Sequence, residues 1–195
     1  MRTALVAAVF LLTTLKAPPP LYAGTPGDST YALVAYVGGG LSQYVLVPGG
    51  PPDIPTDVSK TGLAGTVRLM WQPDHLLRLG IESGWTKLYS YTLEQQPTGQ
   101  LFLSAVPLLL VWSMPVFGVD LFLGSGYYLL NSNLDYQGTV NVSTWSLGWM
   151  AAASYTHPLS DQLGVAGEIK WMNASEHESA NLTVQAQLVW RLFEW

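Results

Sequence analysis

Three histidines and one short polar segment are the residues whose types could support catalysis or metal binding. His75 and His157 stand in predicted turns and His177 in a predicted loop, so their spacing assembles no preformed metal site. Residues 173–179 bring serine, histidine and carboxylate groups together, which are the groups of an activated hydroxyl nucleophile. The polarity of turns and loops explains these residues more simply. We therefore assign no catalytic, metal-ligating or cofactor-binding residue and expect no cofactor.

The composition excludes several classes of protein. Of 195 residues, 11% are charged and 49% are hydrophobic, with 8 Trp and 10 Tyr, whereas a soluble domain is about 25% charged. Disordered chains have the opposite composition. Eight basic against 13 acidic residues leave no basic footprint, so we expect no nucleic-acid partner. The absence of cysteine excludes a disulfide framework and a thiolate metal site.

Residues 1–23 have the pattern of an export signal. Arg2 provides the positive start, and the apolar run at 3–15 is shorter than the roughly 20 residues of a spanning helix. Ala23 places a small residue at the expected cleavage position. We predict a signal peptide over 1–23 and one outer-membrane β-barrel domain over 24–195.

The rest of the chain divides into segments in which apolar and polar residues alternate, a pattern that predicts β-strands. One segment, 100–113, is apolar on both faces and cannot be oriented from its periodicity, and the glycines at 38–40 suggest a bend or bulge. The eight predicted strands lie within residues 31–47, 61–72, 76–89, 100–113, 116–130, 144–156, 162–171 and 180–195.

The connections between these segments alternate in length. Short turns are predicted at 72–75, 113–115 and 157–161, whereas the connections on the other side are longer and polar. This alternation predicts an all-β fold, an eight-stranded antiparallel up-and-down transmembrane β-barrel with both termini in the periplasm. The predicted extracellular loops are 48–59, 90–99, 131–143 and 173–179.

The positions of the charged residues favour the membrane barrel over a soluble β-domain, which would expose charges along its strands. By parity only Lys87 and Arg191 fall on predicted lipid faces, near strand ends where they can reach the headgroups. Three positive and three negative residues fall on lumen faces and predict a neutral ion network. An ion-conducting path is the alternative, although eight strands leave a lumen barely wide enough for side chains. The six lumen residues are Arg68, Arg78, Glu82, Asp120, Glu168 and Lys170.

The aromatic excess is interpreted as girdles at the two membrane interfaces. A carbohydrate-binding role for these rings is the alternative. The predicted girdle residues are Trp71, Trp85, Tyr89, Tyr127, Trp145, Tyr155 and Trp171.

Two stretches resemble the bacterial outer-membrane β-barrel domain family, in its small OmpA/OmpX-like eight-stranded form. Residues 188–195 resemble its C-terminal assembly signal, with Phe193 and Trp195 matching the pattern and Arg191 departing from it. The apolar parity shifts between Leu192 and Phe193, which predicts a bulge or a register ambiguity there. Residues 104–111 and 120–130 resemble the family's central hairpin, with Pro107 in the strand. The resemblance implies the fold and recognition of the C-terminal strand by the assembly machinery, but no particular activity.

The expected role is structural, or a surface interaction through the long loops, in the outer membrane of a Gram-negative-type bacterium. The expected partners are the lipid bilayer and lipopolysaccharide, and a monomer is expected. One alternative is a narrow channel for small or hydrophobic solutes. Another is a lipid A-modifying enzyme, because some lipid A deacylases are eight-stranded barrels. Their His-x-Ser-Asn order is absent here.

Overall fold

The computed structural model describes residues 31–45, 56–73, 77–93, 99–135, 139–175 and 179–195. The predicted signal peptide at 1–23 and the first residues of the predicted barrel domain lie outside these ranges. Within them, no helix is long and apolar enough to cross a bilayer. The regular structure consists of antiparallel β-strands.

Nine strand segments form a single sheet. The segments β2 and β3 flank Lys60 and both pair with β4, so together they make one strand of the barrel. In chain order the segments are β1 (Ala32–Tyr44), β2 (Thr56–Ser59), β3 (Thr61–Gln72), β4 (Arg78–Leu93), β5 (Gly99–Val116), β6 (Val119–Asp135), β7 (Thr139–Pro158), β8 (Leu163–Ala174) and β9 (Ser179–Glu194).

The sheet closes on itself. Strands that are neighbours along the chain pair antiparallel, and β9 returns to pair with β1 along its whole length. Backbone hydrogen bonds of 2.8 and 3.0 Å join Tyr31 and Trp195 in both directions, so the seam is paired to the last residue. Closure satisfies the backbone groups that an open sheet would leave at its edges. The predicted eight-stranded antiparallel up-and-down barrel is confirmed.

One end of the barrel, called here the turn end, carries the described chain termini and tight connections between strands. The turn predicted at 113–115 is wrong, because β5 continues to Val116 and the connection to β6 is the pair Phe117 and Gly118. Their φ angles are 51° and 84°. Positive φ at both central residues of a hairpin matches the right-handed twist of the flanking strands.

The opposite end, called here the hairpin end, has longer strands and shorter loops than the sequence suggested. The strands leave 94–98, 136–138 and 175–178 between them there, so the loops predicted at 90–99, 131–143 and 173–179 are present but shorter than predicted. The segment β2 likewise occupies 56–59 of the loop predicted at 48–59. In β7, the β-branched residues Val140, Val142 and Thr144 alternate with small polar residues and pair with β6. Their β-propensity outweighs the polarity that had suggested a loop.

Along every barrel strand, side chains alternate between an apolar outer face and the lumen. The segment 100–113, which periodicity did not orient, turns its odd positions inward. Leu109 and Val111 are 2% and 0% exposed, while Leu108 and Leu110 are 56% and 43% exposed on the outer wall. Large apolar side chains therefore lie on both faces of β5, and the strand contributes to the packed lumen as well as to the wall.

Of the bend or bulge predicted at residues 38–40, the bulge is wrong. The register of β1 runs unbroken through these glycines against both neighbours. Gly38 and Gly40 lie on the inward face, where a Cβ would collide with the backbone of β9 and with the Gln187 and Gln185 side chains. The missing side chains therefore make room for two lumen amides.

Two bulges occur elsewhere and change the direction of nearby side chains. The register between β4 and β5 shifts at Leu88, so Tyr89 lies inward, packed against the buried residues. Its assignment to the girdle is therefore wrong. The predicted bulge at Leu192 is present between β9 and β1. Arg191 pairs there with inward-facing Val34, so its assignment to the lipid face is also wrong.

Candidate functional site

Four charged side chains meet at the centre of the lumen and form a closed ring of ion pairs. Arg68 contacts Glu82 at 2.5 Å through Nη2 and Glu168 at 2.7 Å through Nη1. Lys170 Nζ lies 2.6 Å from Glu82 and 3.3 Å from Glu168. Each cation therefore contacts both carboxylates, and the ring is neutral.

Two uncharged polar residues complete the ring. Lys170 Nζ donates to Thr66 Oγ1 at 2.9 Å, and Thr66 Oγ1 donates to Gln185 Oε1 at 3.0 Å. Gln185 Nε2 donates in turn to Glu168 Oε1 at 2.5 Å. Because Gln185 fills the space left by Gly40, the glycine on β1 and the amide on β9 form one arrangement.

Aromatic rings close the lumen on the side of the Arg68 guanidinium. Its Cζ lies 4.0 Å from the centre of the Phe122 ring and 5.7 Å from that of Tyr36, within the range of cation–π attraction. The Tyr36 and Phe122 rings pack edge to face at 5.7 Å. Phe122 stands two residues after Asp120 on the same face, so strand parity could have predicted its position. Thr66 and Gln185 carry no charge, so the charge pattern that predicts the other lumen residues does not predict them.

The remaining two predicted lumen charges form a separate pair nearer the turn end. Arg78 Nη1 lies 3.0 Å from Asp120 Oδ1, and both side chains are nearly buried. The six residues of the predicted network are thus placed as a ring of four and a pair of two, with every one of them on the lumen side. Each group is neutral in itself.

The ring supports a packed interior and offers no reactive arrangement. The side chains of Arg68, Glu82 and Glu168 have no solvent-exposed surface and that of Lys170 is 1% exposed. Every carboxylate is paired, which offsets the cost of burying charge. Together with Thr66 and Gln185, the ring connects strands β3, β4, β8 and β9 across the lumen.

The remaining predicted girdle residues all lie on the outer wall, in two groups. Trp71 and Tyr155 are near the turn end, and Trp71 stacks on Tyr31 with 6.2 Å between ring centres. The other group is nearer the hairpin end, where Trp85 stacks on Phe102 and Tyr127 packs edge to face on Trp145. This second group consists of Trp85, Tyr127, Trp145 and Trp171.

The aromatic groups have the separation of a membrane band. Along β7, Trp145 of the second group and Tyr155 of the first group are ten residues apart. At roughly 3.3 Å per residue and a tilt of about 40°, this length spans about 25 Å, the height of the apolar band of outer-membrane barrels. Residues 139–144 of β7 lie beyond the level of Trp145.

These outer residues of β7 have an unpaired edge. Residues 139–147 pair with β6 on one side, whereas pairing with β8 begins only at Gly148 and Ala174. In the described part of the chain, no other strand pairs with that edge. Val140, Val142 and Trp145 are 55%, 55% and 56% exposed there. Residues 139–145 are called the open edge below.

Of the three histidines, only His157 lies in the described part of the chain. His157 is exposed near the turn end of β7, and His75 and His177 lie outside the described residues. Across the described ranges, no group of three or more His, Asp or Glu side chains could hold a metal ion. Lys87 lies on the outer wall, partly buried, with Nζ 5.8 Å from the centre of the Phe102 ring.

Comparisons with known proteins identify the architecture. The sequence matches no protein-family model and no curated protein. The crystal structure of Neisserial surface protein A is similar, with a TM-score of 0.50, 10% identity, and 85% of this chain and 100% of that chain covered. The fold is that of the small OmpA/OmpX-like outer-membrane barrels. Ail, the attachment invasion locus protein of Yersinia pestis, in complex with sucrose octasulfate, gives a TM-score of 0.51 at 7% identity, with 86% and 99% covered.

The last strand of this OmpA/OmpX-like barrel presents the predicted assembly residues on its outer face. Phe193 and Trp195 are 65% and 63% exposed. Trp195 stacks on Tyr31 at 6.2 Å, so the two described chain ends meet on the wall. The terminal aromatic side chains are therefore available on the surface while their backbone closes the seam.

Proposed function

We propose that this protein resides in the outer membrane of a Gram-negative-type bacterium and binds other polypeptides at its hairpin end, without catalysis. The membrane location is supported by the inverted distribution of side chains. Charged residues fill the lumen, while Ile81, Leu123, Ile169 and Val184 are 56–62% exposed on the wall. Exposed apolar area on this scale is stable only in contact with lipid.

The open edge is the observation that carries the interaction role. An unpaired strand is a template for pairing with another chain, and natural proteins normally protect such edges with charge, proline or shortness. Residues 139–145 contain neither charge nor proline and extend over seven positions, with Thr and Val of high β-propensity. This unprotected edge lies at the hairpin end, where β7 extends beyond the end of β8. Such an edge is suited to strand addition by an extended polypeptide.

The charge of the hairpin-end segments argues for a polypeptide over a polyanion. Residues 46–60 carry two aspartates and one lysine, and residues 94–98, 136–138 and 175–178 together carry three glutamates and no basic residue. Ail was crystallised with a heparin analogue. Binding of a sulfated sugar needs clustered basic groups, which these segments do not have.

The remaining partners follow from the same proposal. The outer wall contacts the acyl chains of the bilayer, and the acidic segments at the hairpin end contact lipopolysaccharide through divalent cations. The assembly machinery binds the last strand at Phe193 and Trp195, and the resting protein is a monomer.

The membrane location and orientation are tested by a short epitope inserted between β6 and β7, after Gln137, in the full chain. Antibody added to intact cells is expected to bind this tag. The same epitope inserted after Ser160, in the β7–β8 turn, is expected to bind only after the outer membrane is permeabilised. Equal labelling of both tags on intact cells, or recovery of the protein in the soluble periplasm, would overturn the proposed placement.

Strand addition is tested with a fluorescent peptide of the sequence 139–145, which can pair antiparallel with the open edge from which it is copied. Binding to the protein in lipid nanodiscs is expected, and the variant Val140→Lys/Val142→Lys is expected to bind at least tenfold more weakly. Leu159→Lys, at an exposed apolar position of the turn end, is the matched control. A peptide methylated on alternate backbone nitrogens should not bind. Equal binding to all three proteins contradicts the proposed role.

A further inference from the structure

The turn between β5 and β6 combines two features that are unfavourable in water. Phe117 is fully exposed, at 101% of its reference surface, and its φ of 51° is positive. Among the described residues it is the one non-glycine residue in this region of backbone conformation. Asparagine or glycine is the usual residue at such a turn position, because a large side chain is disfavoured there.

The surroundings of the turn are also apolar. Val116 and Val119 form the last pair of the hairpin, and Met114 and Leu121 on the outer wall form another pair nearby. Met114 and Leu121 are 41% and 36% exposed. No charged or hydrogen-bonding side chain lies between Val116 and Val119. The β7–β8 turn at the same end contains Ser160 and Asp161 and is polar by comparison.

An apolar groove lies on the outer wall next to this turn. Its volume is about 320 Å³. Leu77, Trp112, Met114, Leu121, Leu123 and Ala151 line it. Met114 and Leu121 belong to the same hairpin as Phe117 and stand three and four residues from it along the chain, so the turn lies at the end of a hairpin whose outer face is lipid-facing wall.

From these features we infer that the Phe117 turn is a lipid anchor. The Phe117 ring enters the interfacial region of the leaflet at the turn end, and a phospholipid acyl chain lies in the neighbouring groove. Aromatic side chains are favoured at this depth. Contact with lipid accounts for an exposed phenylalanine at a strained position, because transfer of the ring from water offsets the backbone cost. The inference rests on the proposed membrane location.

The depth of the turn can be measured because the chain contains no cysteine. The single variants Phe117→Cys, Ile81→Cys and Ser160→Cys are nitroxide-labelled and folded into phosphatidylcholine vesicles. Collisions with oxygen report lipid, and collisions with a nickel chelate report water. Oxygen is expected to dominate at positions 117 and 81, and the nickel chelate at position 160. Ile81 lies on the middle of the wall and is 57% exposed.

The three positions separate the two proposals. If the labels at both 81 and 117 collide mainly with the nickel chelate, the membrane location is wrong. If the label at 81 reports lipid and the label at 117 reports water, the barrel is inserted and the anchor inference is wrong.

A second variant tests the native side chain by whether it raises or lowers the urea midpoint of unfolding. Phe117→Asn relieves the backbone, because asparagine tolerates positive φ, but it removes the aromatic ring. In vesicles, the urea midpoint of unfolding is expected to fall relative to the wild type, and Leu159→Asn in the polar turn is expected to change it less. A rise of the midpoint for Phe117→Asn would show that the ring lies in water and would overturn the anchor.

Discussion

Glu168 shows how a charged side chain is stabilised inside the lumen by neighbouring side chains. Its two oxygens receive hydrogen bonds from Arg68 and Gln185 and an ion pair from Lys170. No part of its side chain is exposed. Such a group is favourable only as a member of the complete ring, so the ring acts as a single unit in folding.

Neutralising Glu168 should therefore leave an uncompensated cation in the lumen. We expect Glu168→Gln to lower the free energy of unfolding by about 3–5 kcal/mol in urea titrations of the protein in vesicles. Adding Lys170→Met should restore part of the loss, because Arg68 and Glu82 then remain as a balanced pair. Asp161→Asn, in the exposed β7–β8 turn, is the control and should change the value by less than about 0.5 kcal/mol. A Glu168→Gln protein as stable as this control would contradict the ring's structural role.

The proposed recognition of Phe193 and Trp195 by the assembly machinery would take place before the barrel is closed. Phe193→Ser/Trp195→Ser should lower the amount of assembled protein in the outer membrane several-fold, while refolding into vesicles in vitro changes little. Leu188→Ser, on the same outer face of β9, is the matched control for lost lipid contact. Equal losses for both variants, in cells and in vesicles, would indicate a general stability effect and contradict recognition of the C-terminal residues.

At the scale of elements, β1 and β9 are fitted to each other by glycines. Gly40 faces inward and leaves space that Gln185 of β9 occupies, whereas a Cβ at Gly167, on the outward face of β8, would meet nothing within 4 Å. The closing seam of the barrel therefore depends on small residues at defined inward positions. The same positions determine whether Gln185 can reach Glu168.

Adding one methyl group at the seam should be costly. Gly40→Ala is expected to lower the free energy of unfolding by about 1–3 kcal/mol, the usual cost of overpacking. Gly167→Ala should be neutral or slightly stabilising, because alanine reduces the entropy of the unfolded chain without a clash. Urea midpoints of the two variants in the same vesicles give the comparison. A Gly40→Ala protein no less stable than Gly167→Ala would mean that Gln185 moves aside freely.

Strand parity and charge were enough to predict the barrel, because they follow from a two-residue repeat and from the cost of charge in lipid. The six lumen charges were identified in this way. Their division into a ring and a pair depends on the stagger between strands, which parity does not contain. Parity does not predict the inward directions of Tyr89 and Arg191, because these depend on bulges and on cross-strand pairing. Parity also does not predict the strand at the open edge, because the polar residues there resemble those of a loop.

At the scale of the whole molecule, the barrel is a packed cylinder with unequal walls. The largest fully buried side chains include Arg68, Tyr36, Phe122, Lys170 and Met70, which fill the lumen with charged, aromatic and thioether groups. The wall formed by β5, β6 and β7 rises above the part formed by β8, β9 and β1. Transport through the lumen would require the ring and its aromatic cover to separate.

Two measurements test this description. In planar bilayers, the wild-type protein is expected to show no steady conductance, because the lumen is filled at the level of the ring. In unheated detergent gels, the closed barrel should migrate faster than the boiled protein. A persistent conductance that is abolished by enlarging side chains around the ring would instead support the narrow channel. Identical migration with and without heating would contradict a stable closed sheet.

The unequal rim also limits how many partners the protein can hold by strand pairing. On its β4 flank the raised wall is continued by β2, which has four residues and includes Asp57, whereas on its β7 flank the open edge is uncharged over seven positions. One edge accepts one strand, so the open edge, as the one long uncharged edge in the described part of the chain, has a valence of one. Pairing through it ends in a complex of two chains, so a surface crowded with copies of this barrel would not polymerise into fibres.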